Sequence, residues 1–358
     1  MIQHQPTLHE DDESITYSND HLFDSLGVDV MIGEIFPHFE VETLHSIFTL
    51  VSKFWYVCVC LYRVEFLSLR GESNILALCS NSPRMVEVNS LELMQLRGET
   101  LVMKRIFLSD KCFPNRFSSL TSLSFYGSKI GDSSLKYLTH SAILPNLTEL
   151  DLYHNNITDK GMKSICEGNL KLSILKLNLN RVGDLGFEFL KNSQILKENL
   201  KELYMTYNEV TSKGLEILSG MENSRLETLV LVSNRIESNI TNFCASSLAS
   251  QLKHLNLSNN LLGNSGVLDI CSGNFQSLET LILSKNAIPK ESISMLFESS
   301  NGLNLKKLKH LDLYGNDYIQ VDELAIPTFN SLETLIFSHS YRNPYYHLFW
   351  QTKQFSAN

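Results

Sequence analysis

Along most of the chain, leucines and other large apolar residues recur in one fixed register, with apolar residues at positions 1, 4, 6 and 11 and asparagine at position 9. The register appears as Leu120/Leu123/Phe125/Ser128/Ile130, Leu147/Leu150/Leu152/Asn155/Ile157, Leu172/Leu175/Leu177/Asn180/Val182 and Leu200/Leu203/Met205/Asn208/Val210. It continues through Leu226/Leu229/Leu231/Asn234/Ile236, Leu252/Leu255/Leu257/Asn260/Leu262, Leu278/Leu281/Leu283/Asn286/Ile288, Leu308/Leu311/Leu313/Asn316/Tyr318 and Leu332/Leu335/Phe337/Ser340. Successive copies begin 27, 25, 28, 26, 26, 26, 30 and 24 residues apart. Alternation over positions 4 to 7 has the period of a strand with one buried face. After the asparagine, Thr158-Asp159-Lys160-Gly161, Gly183-Asp184-Leu185-Gly186 and Thr211-Ser212-Lys213-Gly214 supply capping residues ahead of apolar positions at helical spacing. Each unit therefore reads as strand, turn and helix. Two weaker copies, Val64/Leu67/Leu69 and Leu91/Met94/Leu96, run upstream in the same phase.

A single unit cannot bury its leucines, so the units must stack. Positions 5 and 7 then point outward, and the asparagine sits where the chain leaves the strand, placed to satisfy backbone groups that the turn strands. Position 2 of the later units reads Lys201, Glu227, Lys253, Glu279, Lys309, Glu333. If the units stack as parallel strands, each of these charges faces its opposite at one strand spacing, about 4.8 Å.

This register resembles the leucine-rich repeat, and its long period with outer helices resembles the ribonuclease-inhibitor-like subclass. The resemblance implies an α/β fold: a right-handed solenoid shaped as a horseshoe, with parallel strands on the concave face and helices on the convex face. Degenerate repeats are expected over residues 63 to 119, regular ones over 120 to 340, and a C-terminal cap over 341 to 358.

Residues 22 to 62 do not follow the repeat. They read as apolar helical segments around Val28 to Phe36 and Leu44 to Val51, ending in Ser52-Lys53-Phe54-Trp55-Tyr56. Val51-Ser52-Lys53-Phe54-Trp55, with Ile35-Phe36 and Phe39 upstream, resembles the F-box, the helical motif that docks onto the adaptor subunit of SCF-type ubiquitin ligases. The family's opening Leu-Pro is replaced by Gly27-Val28. The resemblance implies that Ile35, Phe36, Phe39, Val51 and Trp55 bind the adaptor. The alternative is that this module only covers the first repeat.

Composition narrows the picture. Lys plus Arg number 30 against 39 Asp plus Glu, and residues 1 to 24 contribute six of the nine excess negative charges and no positive one. Residues 1 to 21 form an acidic tail expected to lack fixed structure. The remainder carries no basic stripe, which argues against nucleic acid. Seven scattered cysteines point to a reducing compartment, cytoplasmic or nuclear. No basic leader, long apolar run, phosphate loop, zinc spacing or catalytic motif appears, so no membrane segment, cofactor, metal or enzymatic activity is expected.

What remains is a binding surface. Outward positions bring Tyr126, Tyr153 and Tyr204 to the early strands, joined by Tyr207 at position 8, with Val230, Val232 and Ile282 beside them and Tyr314 further on. Amphipathic rings of this kind anchor protein interfaces, although strand propensity alone also favours Tyr, Val and Ile. The leading expectation is a substrate-recruiting subunit of an SCF-type ligase, monomeric outside that complex, with an unidentified protein client on the concave face. The other readings are a Ran-GTPase-activating-like regulator, which shares the repeat subtype, and a plain scaffold.

Overall fold

The alternation of leucines produces the expected ladder. In the computed structural model the residues described are 66–70, 90–94, 117–142, 144–299, 305–317, 332–338 and 347–351, all within the unit Glu65–Asn358. Strands β1 (Phe66–Arg70), β2 (Ser90–Met94), β3 (Ser122–Ser124), β4 (Glu149–Asp151), β5 (Ile174–Lys176) and β6 (Glu202–Tyr204) follow one another in the sheet. They are joined by β7 (Thr228–Val230), β8 (His254–Asn256), β9 (Thr280–Ile282), β10 (His310–Asp312), β11 (Thr334–Ser338) and β12 (His347–Gln351). Sheet order equals chain order throughout. The strands β1 to β11 pair in parallel, whereas β12 returns antiparallel along β11.

We number as rungs 1 to 9 the regular repeats containing β3 to β11. Every apolar residue at positions 1, 4 and 6 of these rungs is at most 3% exposed, so each rung closes the core of the last. The connecting segments carry helices α1 (Asp132–Thr139), α2 (Asp159–Glu167), α3 (Asp184–Asn192), α4 (Gln194–Asn199) and α5 (Ser212–Ser219). Further helices are α6 (Thr241–Cys244), α7 (Ser247–Gln251), α8 (Gly263–Cys271) and α9 (Lys290–Ser299). Phe187 on α3 and Phe243 on α6 are wholly buried, and Phe243 meets Phe275 edge-on at 6.4 Å.

Position 9 forms a spine. In rung 4 the Asn208 side chain donates from Nδ2 to the Leu177 carbonyl of the rung before, and Oδ1 accepts from Val182 N–H at 3.0 Å. The same pair of bonds recurs at Asn155, Asn180, Asn234, Asn260, Asn286 and Asn316. A fixed amide geometry thus ties each turn to its neighbour, which buried backbone groups require.

A second spine was not anticipated. Asp132, first residue of α1, accepts from Thr158 N–H and Oγ1 at 2.8 and 2.7 Å, capping the next helix. Asp159 does the same for Gly183 and Gly186 N–H, and Asp184 for Thr211. Each helix start is an orphaned set of donors with a positive dipole end, so a carboxylate from the neighbouring rung suits it.

Position 2 confirms the parallel register at two steps: Lys253 reaches Glu227 at 2.9 Å, and Lys309 pairs with Glu279. The Lys309 hydrogen bond holds the Glu279 carboxyl below its ordinary range, while Glu279 raises Lys309. Upstream, the phase of one degenerate copy differs from expectation. Leu91 pairs with Leu67 and Leu123, so it stands at position 4 and not at position 1. Strand alternation, Leu91-Glu92-Leu93, sets the register there, and the trailing Met94 and Leu96 mimicked it three residues late.

Two core thiols give a pH test. Burial, with Glu167 adding to it, pushes the Cys166 thiol up to about 12, and burial followed by Asp269 and Cys271 raises Cys244 further. Both thiols stay protonated in the fold above their ordinary value of 9.0, where the unfolded chain loses the proton. Stability is therefore intact below about pH 9 and falls as pH rises toward 12, by up to about 1.4 kcal/mol per pH unit for each thiol. Alkylation at pH 8 followed by peptide mass spectrometry should leave Cys166 and Cys244 unmodified in native protein and modified in urea. Rapid native labelling of either would contradict this.

Candidate functional site

The outward residues at positions 3, 5 and 7 alternate with fully buried leucines, so their side chains share the open face of the sheet. Tyr126 and Tyr153, on rungs 1 and 2, stack with ring centroids 4.7 Å apart and planes 5° from parallel. Tyr126 remains 46% exposed, so the pair presents a ring to solvent. Beside it, the Asp151 carboxylate accepts from Tyr153 N–H at 2.9 Å. On rung 3, Lys176 is ion-paired to Glu149, and Asn178 Oδ1 accepts from Thr206 N–H. On rung 4, Tyr204 donates its hydroxyl to Glu202 at 2.6 Å. Burial first, then that bond, pushes the Tyr204 phenol up to about 12.

These positions group differently from a simple cluster of four rings. Tyr204 and Val230 are direct cross-strand partners, and Val232 lies two residues on from Val230. Rung 3, with Lys176 and Asn178, separates Tyr204 from the Tyr126–Tyr153 stack. Ile282 is separated from Val230 by Asn256 on rung 6, whose side chain is held by Ser258. Tyr314 stands on rung 8, beyond Ile282. The expected adaptor residues Ile35, Phe36, Phe39, Val51 and Trp55 lie outside the described residues.

Position 8 adds to Tyr207 further residues that the pattern alone did not single out. Gly127, His154, Leu179, Tyr207, Ser233, Asn259, Lys285 and Gly315, the last residue before each position 9, all have left-handed backbone with φ between 53° and 71°. From Gly127 to Lys285 their N–H groups donate to the position-7 carbonyl of the next rung, for example Leu179 to Thr206 and Tyr207 to Val232, both at 2.8 Å. Such a conformation costs a bulky L-residue about 1–2 kcal/mol, and stacking overrides that cost. The consequence is a row of side chains along the edge of the open face. Leu179 bridges the rung 3 gap between His154 and Tyr207, the latter 56% exposed, and His154 meets Tyr153 edge-on at 6.3 Å. The available signal was the residue preceding each position-9 asparagine, but its identity varies too widely to flag a conserved backbone state.

Among the described residues no group of three or more His, Cys, Asp or Glu could hold a metal ion, and no helix is long and apolar enough to cross a membrane.

Strand order, asparagine spine and outer helices together define a leucine-rich-repeat solenoid of the ribonuclease-inhibitor-like kind. The leucine-rich-repeat family model matches residues 144–166, 197–219 and 250–271. NACHT, LRR and PYD domains-containing protein 12 of Homo sapiens is 27% identical over 272 residues, 71% of this chain and 24% of that protein. Ribonuclease inhibitor of Mus musculus is 34% identical over 140 residues, 36% of this chain and 30% of that protein. The chain thus spans less than a third of either relative's length. An internalin from Listeria monocytogenes superposes with a TM-score of 0.51 at 18% identity, covering 90% of this chain and 96% of that one, a likeness of fold.

Proposed function

We propose that the chain is a protein-binding module that recruits clients to an SCF-type ubiquitin ligase. In this reading residues 22 to 62 hold the adaptor through Ile35, Phe36, Phe39, Val51 and Trp55, and the open face of the sheet holds the client. The observation that carries it is Val51-Ser52-Lys53-Phe54-Trp55 standing just ahead of the first strand of the repeat array, which begins at Phe66. Catalysis belongs to other subunits; this chain raises the effective concentration of a client near them. The open face supports the client half of the reading, because exposed tyrosines beside apolar side chains are what interface anchors need.

A second reading is favoured by the similarity to ribonuclease inhibitor and by the family model, whose matched segments 144–166, 197–219 and 250–271 are all repeats. There the chain is a binder or scaffold whose residues 22 to 62 only cover the first repeat.

Mixing the full chain with the purified adaptor subunit and following co-elution separates the two. Capture is expected, and Trp55→Ala should weaken it about thirtyfold, the loss of one interface hot spot. Absence of capture by the unmodified chain, or identical capture by Trp55→Ala, would overturn the ligase reading.

A further inference from the structure

Charge on the open face is unevenly placed. On rungs 1 to 4 the outward carboxylates are Glu149, Asp151 and Glu202, and the one ammonium among these strand positions, Lys176, pairs with Glu149 and stands directly across from Asp151, so three carboxylates face one cation. Positions 3, 5 and 7 of rungs 5 to 7 carry no carboxylate. The negative stretch coincides with the rings: the Tyr126–Tyr153 stack on one side, Tyr204 and the exposed Tyr207 on the other.

We propose that rungs 1 to 4 of the open face bind an extended, arginine-bearing segment of a partner protein, whose guanidinium groups stack on the tyrosine rings and pair with Asp151 and Glu202. The proposal rests on the reading that a client occupies the sheet face, and it names that client's chemistry. Arginine fits better than lysine for two reasons. Its planar cation stacks on an aromatic face, and its fork of donors matches a carboxylate. The tyrosine hydroxyl held by Glu202 orients that carboxylate beside the ring. Four rungs span three strand spacings, about 14 Å, the length of about four extended residues. Two arginines on one face of such a segment reach one carboxylate each, at rungs 2 and 4.

The test uses the full chain and three fluorescein-labelled pentapeptides, Gly-Arg-Ser-Arg-Gly and its Lys and Glu counterparts, read by fluorescence anisotropy at about 50 mM salt to limit screening. The Arg peptide should bind, the Lys peptide about threefold more weakly, and the Glu peptide not at all. Tyr126→Ala should weaken the Arg peptide about fivefold, as should Glu202→Gln, which keeps an acceptor for Tyr204 and removes only charge. Ile336→Ser on rung 9 should leave binding unchanged. Equal binding of Arg and Lys peptides to every variant would mean diffuse attraction to a chain of net charge −9, and would overturn the proposal, as would no binding. Adaptor capture is measured separately: its loss with peptide binding intact removes the ligase reading alone, and the converse removes only the client chemistry.

Discussion

Asn208→Ala should lower the free energy of unfolding by about 1–3 kcal/mol, seen as a fall in the urea midpoint. The substitution takes from Val182 N–H its acceptor at 3.0 Å and from the Leu177 carbonyl its donor at 2.8 Å, in the middle of the stack. Asn180 still donates to Leu177 O at 3.1 Å, so the stranded group is chiefly the amide. A buried amide without a partner loses its hydration with nothing in return. Asn234 makes equivalent bonds from a half-buried position, where water can substitute, so Asn234→Ala should cost less. Because each rung touches only its neighbours, hydrogen exchange in Asn208→Ala should quicken first in the amides of rungs 3 to 5. Equal, small losses for both variants, below about 1 kcal/mol, would mean the spine is not what holds the turns.

Such a spine is legible in the sequence because it depends on identity at a fixed spacing. Leucine at positions 4 and 6 has one inward direction in a strand, and asparagine holds a donor and an acceptor on a short, fixed amide for two backbone groups of the preceding rung. Phase was readable only where the repeat was strong: at Leu91 two candidate leucine triplets overlapped, and pairing with Leu67 and Leu123 chose between them. The carboxylate spine escaped because Asp159 and Asp184 look like first-turn residues of their own helices. Nothing local says that the same oxygens cap the helix of the next rung. The candidate surface was half legible for a similar reason. Alternation aims Tyr126, Tyr153, Tyr204 and Val230 outward, but whether they meet is decided by the rung between, and Lys176 with Asn178 divides the rings. Leu179 and His154 complete the edge through a left-handed backbone that leucine rarely adopts and histidine adopts only somewhat more often.

Gly186→Ala should destabilise the protein by about 1–3 kcal/mol, the opposite sign to the gain of about 1 kcal/mol that alanine usually brings to a helix. The glycine lies in the first turn of α3, and a Cβ there would come within 2.4 Å of Val182 Cγ1 and 3.0 Å of Asp159 Oδ1. Neither neighbour can give way cheaply. Val182 is fully buried under the asparagine spine, and Asp159 Oδ1 accepts from both Gly183 and Gly186 N–H at 2.8 Å, so its retreat uncaps the helix. A Cβ on Gly161 or Gly214 would likewise come within 2.5 or 2.6 Å of a carboxylate oxygen of Asp132 or Asp184. Gly220 closes α5, and a Cβ there would meet only the Lys191 Cδ of a flexible side chain at 3.4 Å and the Ile217 carbonyl at 3.6 Å, so Gly220→Ala should change stability by less than about 0.5 kcal/mol. Adding Val182→Ala to Gly186→Ala should recover part of the loss, because the cavity from the first accepts the methyl of the second, and a double-mutant cycle in urea reads that coupling directly. A stabilised Gly186→Ala, or strict additivity of the pair, would show that the close approach of neighbouring rungs at this glycine does not limit packing.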